Sequence, residues 1–337
     1  MSSVRIIAMG KYNKCWSLAT PGLLIVLIDQ SSSMLQPYND KGSRLEVSTY
    51  MANRAIDSIM QMNFDGEKVK NRCLISIIGY NNNVKELCSG WIWDLDSKPL
   101  RFENLKKKTP DGAGGFVEVD VQQPVWVNPV EVGGDANMLG AFSYAKELVQ
   151  KWISDNPQYP APVIINISDG TPYYDGKDSL ECMKETTGLA KEIMSLSNED
   201  GNVLIYNVQV DSILKNTETF PHDKNKLKQE ETRFLFDISS EVPELYLGYA
   251  GGLKHDDTEI WQQLLWQGSR GLANNLQVFL PLLPYYGDFA YQEIHKIPEP
   301  TNDNMAEIIK AKWKKGNGYE TQTTVDMADV IRAKWRK

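Results

Sequence analysis

Residues 23–33 read Leu-Leu-Ile-Val-Leu-Ile-Asp-Gln-Ser-Ser-Ser, an unbroken apolar run that stops at an acid and opens into a hydroxyl-rich loop. Alternation is missing from the run. Both faces of the segment are apolar, which is what a strand needs when helices cover its sheet on each side, as in a parallel sheet. Past the loop, Ser43 and Glu46 have the spacing of a capping box, and Val47, Met51, Ala55, Ile59 and Met62 then share one helical face. Strand, loop and helix make the first unit, and Asp29 closes the strand at its carboxyl end.

Working outward, Cys73–Tyr80 is a second buried strand. The cluster Asn81, Asn82, Asn83 turns the chain into residues 84–87, an antiparallel neighbour at the sheet's edge. Residues 97–132 hold Pro, Gly and one short alternating segment at 116–121, so they are expected to be an insertion or long loop carrying a small strand. Met138, Phe142, Ala145, Leu148, Val149 and Trp152 mark a second helix. After it, residues 163–167 form a buried strand ending at Ser168 and Asp169. Asp178 caps a helix with Cys182, Leu189, Ile193 and Leu196 on its buried side, and residues 203–210 and 234–238 supply the last two strands. The expected fold is α/β, a doubly wound and mostly parallel sheet with one antiparallel edge strand. Ligands of such sheets sit beyond the carboxyl ends of the strands, where the strand order reverses. Asp29 and Asp169 both lie at ends of that kind.

This divides the 337 residues into an N-terminal segment over 1–22, a domain over 23–250 and a C-terminal extension over 251–337. In the extension, residues 260–266 have a helical pattern and 280–286 are rich in Pro and aromatics. Residues 305–314, Met-Ala-Glu-Ile-Ile-Lys-Ala-Lys-Trp-Lys, recur at 327–336 as Met-Ala-Asp-Val-Ile-Arg-Ala-Lys-Trp-Arg. The copies read either as short helices packed on the domain or as two equivalent docking elements that raise avidity through effective concentration.

The formal charge of -8 sets up a field that repels phosphate, so nucleic acid is not an expected partner. Cys15, Cys73, Cys88 and Cys182 are scattered singly, as are His222, His255 and His295, which leaves nothing resembling a nitrogen or sulfur metal site. The apolar run within residues 1–10 is too short for a signal peptide, and residues 23–28 are too few for a membrane span, so a cytoplasmic protein without a membrane segment is expected.

Asp29, Ser31 and Ser33 form a D-x-S-x-S series that offers a carboxylate and two hydroxyls within one turn. These are hard oxygen ligands of the kind Mg²⁺ prefers, with Mn²⁺ or Ca²⁺ as alternatives, and a site with few direct carboxylates leaves a position for an outside ligand such as a partner's Asp or Glu. The plainer alternative is a loop whose Ser and Asp side chains only satisfy backbone groups.

On this motif, its place after a buried strand, and the later Ile167, Ser168, Asp169, Gly170, the chain resembles the von Willebrand factor A (vWA) family over roughly residues 23–250. The resemblance implies a metal-ion-dependent adhesion site (MIDAS) in which Ser31 and Ser33 bind the cation directly while Asp29 and Asp169 act through bound water. It departs at Gly133, Gly134, Asp135, Ala136, Asn137, Met138, where Ala136 stands at the position of the family's threonine ligand and Asp135 is the candidate replacement. A directly bound Asp135 carboxylate would neutralise more of the cation and weaken its pull on an acidic partner.

Further stretches make the chain similar to bacterial tellurite-resistance and conflict-system vWA proteins. They are Pro124, Val125, Trp126; residues 162–170; Asp200, Gly201, Asn202, Val203; and residues 235–240 before Pro243. That likeness implies a non-enzymatic adaptor in a stress or phage-defence system, with a kinase, phosphatase or AAA+ ATPase as partner. A Mg-dependent phosphohydrolase using Asp29 as nucleophile needs a second acid two residues on, and Ser31 is there instead. No G-x-S-x-G elbow, P-loop or zinc-protease helix is present, so no enzyme is expected.

Overall fold

The computed structural model describes residues 12–39, 42–64, 66–110, 115–211, 219–246, 269–273 and 276–284. At the centre is β1 (Gly22–Asp29), and every one of its residues is buried. It is flanked by two parallel neighbours, which explains why it carries no polar face: Leu24, Val26 and Ile28 enter one core, and Leu23, Ile25 and Leu27 enter the other. Fully burying each such side chain contributes about 1.5–3 kcal/mol. The chain then passes through a small ribbon, β2 (Pro37–Asn39) with β3 (Gly42–Ser43), into α1 (Arg44–Met62). The capping box forms as its spacing requires: Ser43 Oγ accepts from the Glu46 amide and Glu46 Oε2 accepts from the Ser43 amide at 2.7 Å. Leu45, Met51, Ala52, Ala55, Ile56 and Ile59 of α1 join the first core.

β4 (Cys73–Tyr80) lies parallel to β1, and an Asn81 turn leads into antiparallel β5 (Val84–Trp91) at the edge. Beyond the short α2 (Ile92–Asp96), the insertion is a two-stranded hairpin of its own, β6 (Arg101–Pro110) paired with β7 (Phe116–Val125). Its first strand had no apolar alternation to announce it. Arg101, Phe102, Asn104 and Lys106 are exposed, and a strand facing water over much of its length needs no apolar stripe. The chain returns to the domain at Trp126 and Val127, both of whose amides donate to Asn53 Oδ1 of α1, at 2.8 and 3.0 Å. Asn53 Nδ2 donates in turn to the Val127 carbonyl at 3.0 Å.

The winding then reverses. α3 (Met138–Asp155) crosses the opposite face of the sheet to β8 (Val163–Ser168) on the other side of β1, and α4 (Ser179–Ser195), capped by Asp178, leads to β9 (Leu204–Gln209). Right-handed crossovers demand that change of face when the direction of winding changes. With β10 (Leu272–Ala273) at one edge, the sheet order is β10-β9-β8-β1-β4-β5, parallel throughout except for β5. The expected doubly wound architecture is therefore present, and its switch point lies between β1 and β8.

Two expectations change. Residues 234–238 are not a strand: they fall on α5 (Glu230–Asp237) and the residue that ends it. A short apolar run fits a buried helical turn as well as a buried strand, and here Phe234, Leu235 and Phe236 are all buried in helix. The sixth strand is instead β10 (Leu272–Ala273), and the 3₁₀ turn Leu276–Leu282 fills the α1 side of the core, with Phe279 stacked on Tyr206 at 5.0 Å. The folded core thus continues past residue 250. The apolar run at 1–10, the helical pattern at 260–266 and both tandem segments lie outside the described residues. Among the described residues no helix is long and apolar enough to cross a membrane, and none of the four cysteines is paired in a disulfide.

Candidate functional site

Three loops meet over the switch point. The loop after β1 is zipped to the glycine loop before α3: the Gly133 amide donates to the Gln30 carbonyl at 2.8 Å, the Ser32 amide to the Gly134 carbonyl at 3.0 Å, and the Gly134 amide to Ser32 Oγ at 2.8 Å. Gly134 sits at φ +80°, and a Cβ there would lie 1.7 Å from Asn82 Oδ1, so only glycine brings this backbone so close. The glycine loop is joined in turn to the loop after β8, where the Tyr173 amide donates to the Ala136 carbonyl at 3.1 Å.

Asp29 and Asp169, distant in sequence, come together here because β1 and β8 are neighbouring strands. Asp29 is fully buried. Its Oδ1 accepts from the Ser31 amide at 2.9 Å and its Oδ2 from Ser168 Oγ at 2.9 Å. Burial first, and the nearby Asp169 carboxylate second, push the Asp29 carboxyl up to about 7, against the hydrogen bonds from Ser31 and Ser168 that favour its ionised form. Ser31 Oγ and Ser33 Oγ are hydrogen-bonded to each other at 3.1 Å. Asp169 Oδ1 accepts from the Thr171 amide at 3.0 Å. Asp135 lies half-buried in the glycine loop, and its amide donates to Asn82 Oδ1 at 3.1 Å.

Arg44, which the sequence reasoning passed over, occupies this crest. From the first residue of α1 its Nη1 reaches Asp169 Oδ2 at 3.0 Å, its Nη2 reaches Asp211 Oδ1 at 3.0 Å, and Nη1 lies 3.5 Å from the Ser33 carbonyl. The three side chains are 14%, 5% and 13% exposed. An arginine in the first turn opposes the helix dipole, a small cost that the two acids offset here. Asp211, just beyond the 203–210 strand, was a third strand-end acid.

A pair of hydroxyls bound side by side on an octahedral ion at Mg²⁺ distances stands about 3 Å apart. Ser31 and Ser33 already have that separation. The buried Ala136 offers no hydroxyl, and among the described residues no three His, Cys, Asp or Glu side chains are grouped to hold a metal. What the crest offers an ion is thus a pair of hydroxyls beside carboxylates, without the hydroxyl at position 136.

No protein-family model matches the chain, and no curated protein does. Solved structures similar to it include the ArnB paralog VWA2 of Sulfolobus acidocaldarius, at 17% identity and a TM-score of 0.30 over 56% of this chain. Proximal thread matrix protein 1 of the mussel byssus, with a zinc-occupied MIDAS motif, is 12% identical with a TM-score of 0.32 over 57%. The pilus adhesin SpaC of Lactobacillus rhamnosus GG is 11% identical with a TM-score of 0.40 over 84%. The matched part spans only 34%, 36% and 31% of those proteins' own chains. The likeness is loose, and it is the strand order that defines the class: a doubly wound α/β protein whose loop crest sits at the β1/β8 switch point.

Proposed function

We propose that the chain is a vWA-type interaction module that binds another protein at this crest through a divalent cation. Ser31 and Ser33 hold the ion directly, Asp29 and Asp169 act through water, and an acidic side chain of the partner completes the coordination. The observation that carries this is the hydroxyl pair, 3.1 Å apart, set beside two carboxylates at the switch point. Asp29 suits a supporting role better than a nucleophile's. Both its oxygens accept protein hydrogen bonds and its side chain is fully buried, which keeps it from meeting a substrate directly. Mg²⁺ is the expected ion, with Mn²⁺ or Ca²⁺ able to replace it, and a role for Asp135 at its edge belongs to the same proposal.

The finer reading is an adaptor in a bacterial stress or phage-defence system, with a kinase, phosphatase or AAA+ ATPase as partner. It is supported by the sequence resemblance described above. Affinity capture from native lysate in Mg²⁺, with and without EDTA, tests the reading. A partner retained in Mg²⁺ and released by EDTA is expected. Equal recovery under both conditions removes the cation from the interaction. Metal-dependent phosphate release that disappears in Asp29→Asn would replace the adaptor by a phosphohydrolase.

A further inference from the structure

Resting on the cation reading, we propose that Arg44 is a tethered competitor of the divalent ion: its guanidinium occupies Asp169 and must give up that carboxylate, keeping Asp211, for an ion to settle beside Ser31 and Ser33. The geometry sets two cations against each other. Arg44 Nη1 lies 3.0 Å from Asp169 Oδ2 and 3.5 Å from the carbonyl of Ser33, the residue whose hydroxyl is half of the donor pair. A fixed positive charge there, largely shielded from water, repels a divalent ion at the hydroxyls. It also competes for Asp169 Oδ2, while Oδ1 accepts from the Thr171 amide.

Arg44 has somewhere else to rest. Its second nitrogen is paired with Asp211 at 3.0 Å, so releasing Asp169 does not strand a buried charge, the outcome that makes most buried ion pairs hard to break. Among the described residues its buried Nε has no hydrogen-bond partner, so they do not fully satisfy the guanidinium where it sits. The helix end it springs from is fastened independently by the Ser43–Glu46 box, so the side chain can swing without the backbone following. The crest would therefore exist in two forms, one neutralised in part by Arg44 and one by the ion.

Titration of Mn²⁺ into metal-stripped protein by calorimetry, with free Mn²⁺ followed by electron paramagnetic resonance, tests this on the wild type, Arg44→Gln and Arg44→Lys. Removing the competitor is expected to tighten Mn²⁺ binding about ten- to a hundredfold, the equivalent of the charge-assisted hydrogen bond the ion otherwise displaces. Arg44→Lys is expected to fall between, because an ammonium cannot span two carboxylates in a planar fork. Equal affinity in wild type and Arg44→Gln overturns the competition and leaves the cation reading standing. No binding in either overturns both. Should Arg44→Gln fail to fold by circular dichroism, Arg44→Lys carries the comparison, and an affinity equal to wild type then refutes the proposal.

Discussion

Asp29→Asn is expected to stabilise the metal-free protein above neutral pH, although it removes a residue from the centre of the candidate site. The Asp29 carboxyl is pushed up to about 7 from an ordinary 3.8, chiefly by burial. Between those values the unfolded chain has lost the proton that the native state keeps, so unfolding releases a proton and stability falls as pH rises. Below about pH 4 both states are protonated and there is no penalty, and above about pH 7 both are ionised and the penalty is constant. A shift of roughly three units corresponds to on the order of 4 kcal/mol. Asparagine recovers part of it, because its amide must still be accommodated where Ser168 Oγ now donates. A gain of about 2 kcal/mol is expected, and at 2–4 °C per kcal/mol for a domain of this size it raises Tm by roughly 4–8 °C. Thermal melts in EDTA at pH 8 and pH 4 measure it. The gap should be open at pH 8 and closed at pH 4, and Mg²⁺ should narrow it by stabilising only the wild type, since an ion bound to the native state adds stability in proportion to its occupancy. A mutant no more stable than wild type at pH 8, or a gap of the same size at both pH values, refutes the reasoning.

Asn53→Leu removes the side-chain partner of two amides and a carbonyl of residues 126–127 in the core; at about 1–3 kcal/mol per stranded group, a loss of roughly 3–9 kcal/mol is expected in urea melts. A loss below about 1 kcal/mol would mean that this segment finds other partners. Gly134→Ala forces a Cβ onto Asn82 Oδ1 at a positive φ, so it should cost about 1–3 kcal/mol and weaken EDTA-sensitive capture together. Unchanged capture would separate the glycine loop from binding. Deleting residues 317–337 removes one tandem copy, and if the copies are twin docking elements, apparent partner affinity should fall by tenfold or more in surface plasmon resonance while the melting curve stays put. Unchanged affinity would leave the copies a packing role.

The central strand was legible because a run apolar on both faces has few places to go except the middle of a covered sheet, and the meeting of Asp29 with Asp169 followed from two strand-end acids and a reversal of winding. What escaped was short or locally ambiguous. Leu272 and Ala273 are too few to show any period, although their backbone completes the sheet beside Asn207 and Val208. Phe234, Leu235 and Phe236 carry the same composition in a helical turn as in a strand, and with the strand already supplied elsewhere the helix prevailed. The first hairpin strand is charged because water, not protein, faces it. Arg44 stayed hidden for another reason: its partners lie after two different strands, and an ion pair of that span is a property of the fold rather than of any window of sequence.

The grip of Asn53 on residues 126–127 isolates the projecting ribbon mechanically. Whatever pulls on or replaces β6 and β7 meets an anchor on α1 before it reaches the glycine loop, so strain from the ribbon is absorbed in the body of the domain. The outer end of the ribbon, where Phe116, Val117 and Glu118 are exposed, is accordingly the place where a probe or a foreign peptide can be grafted with the crest left undisturbed.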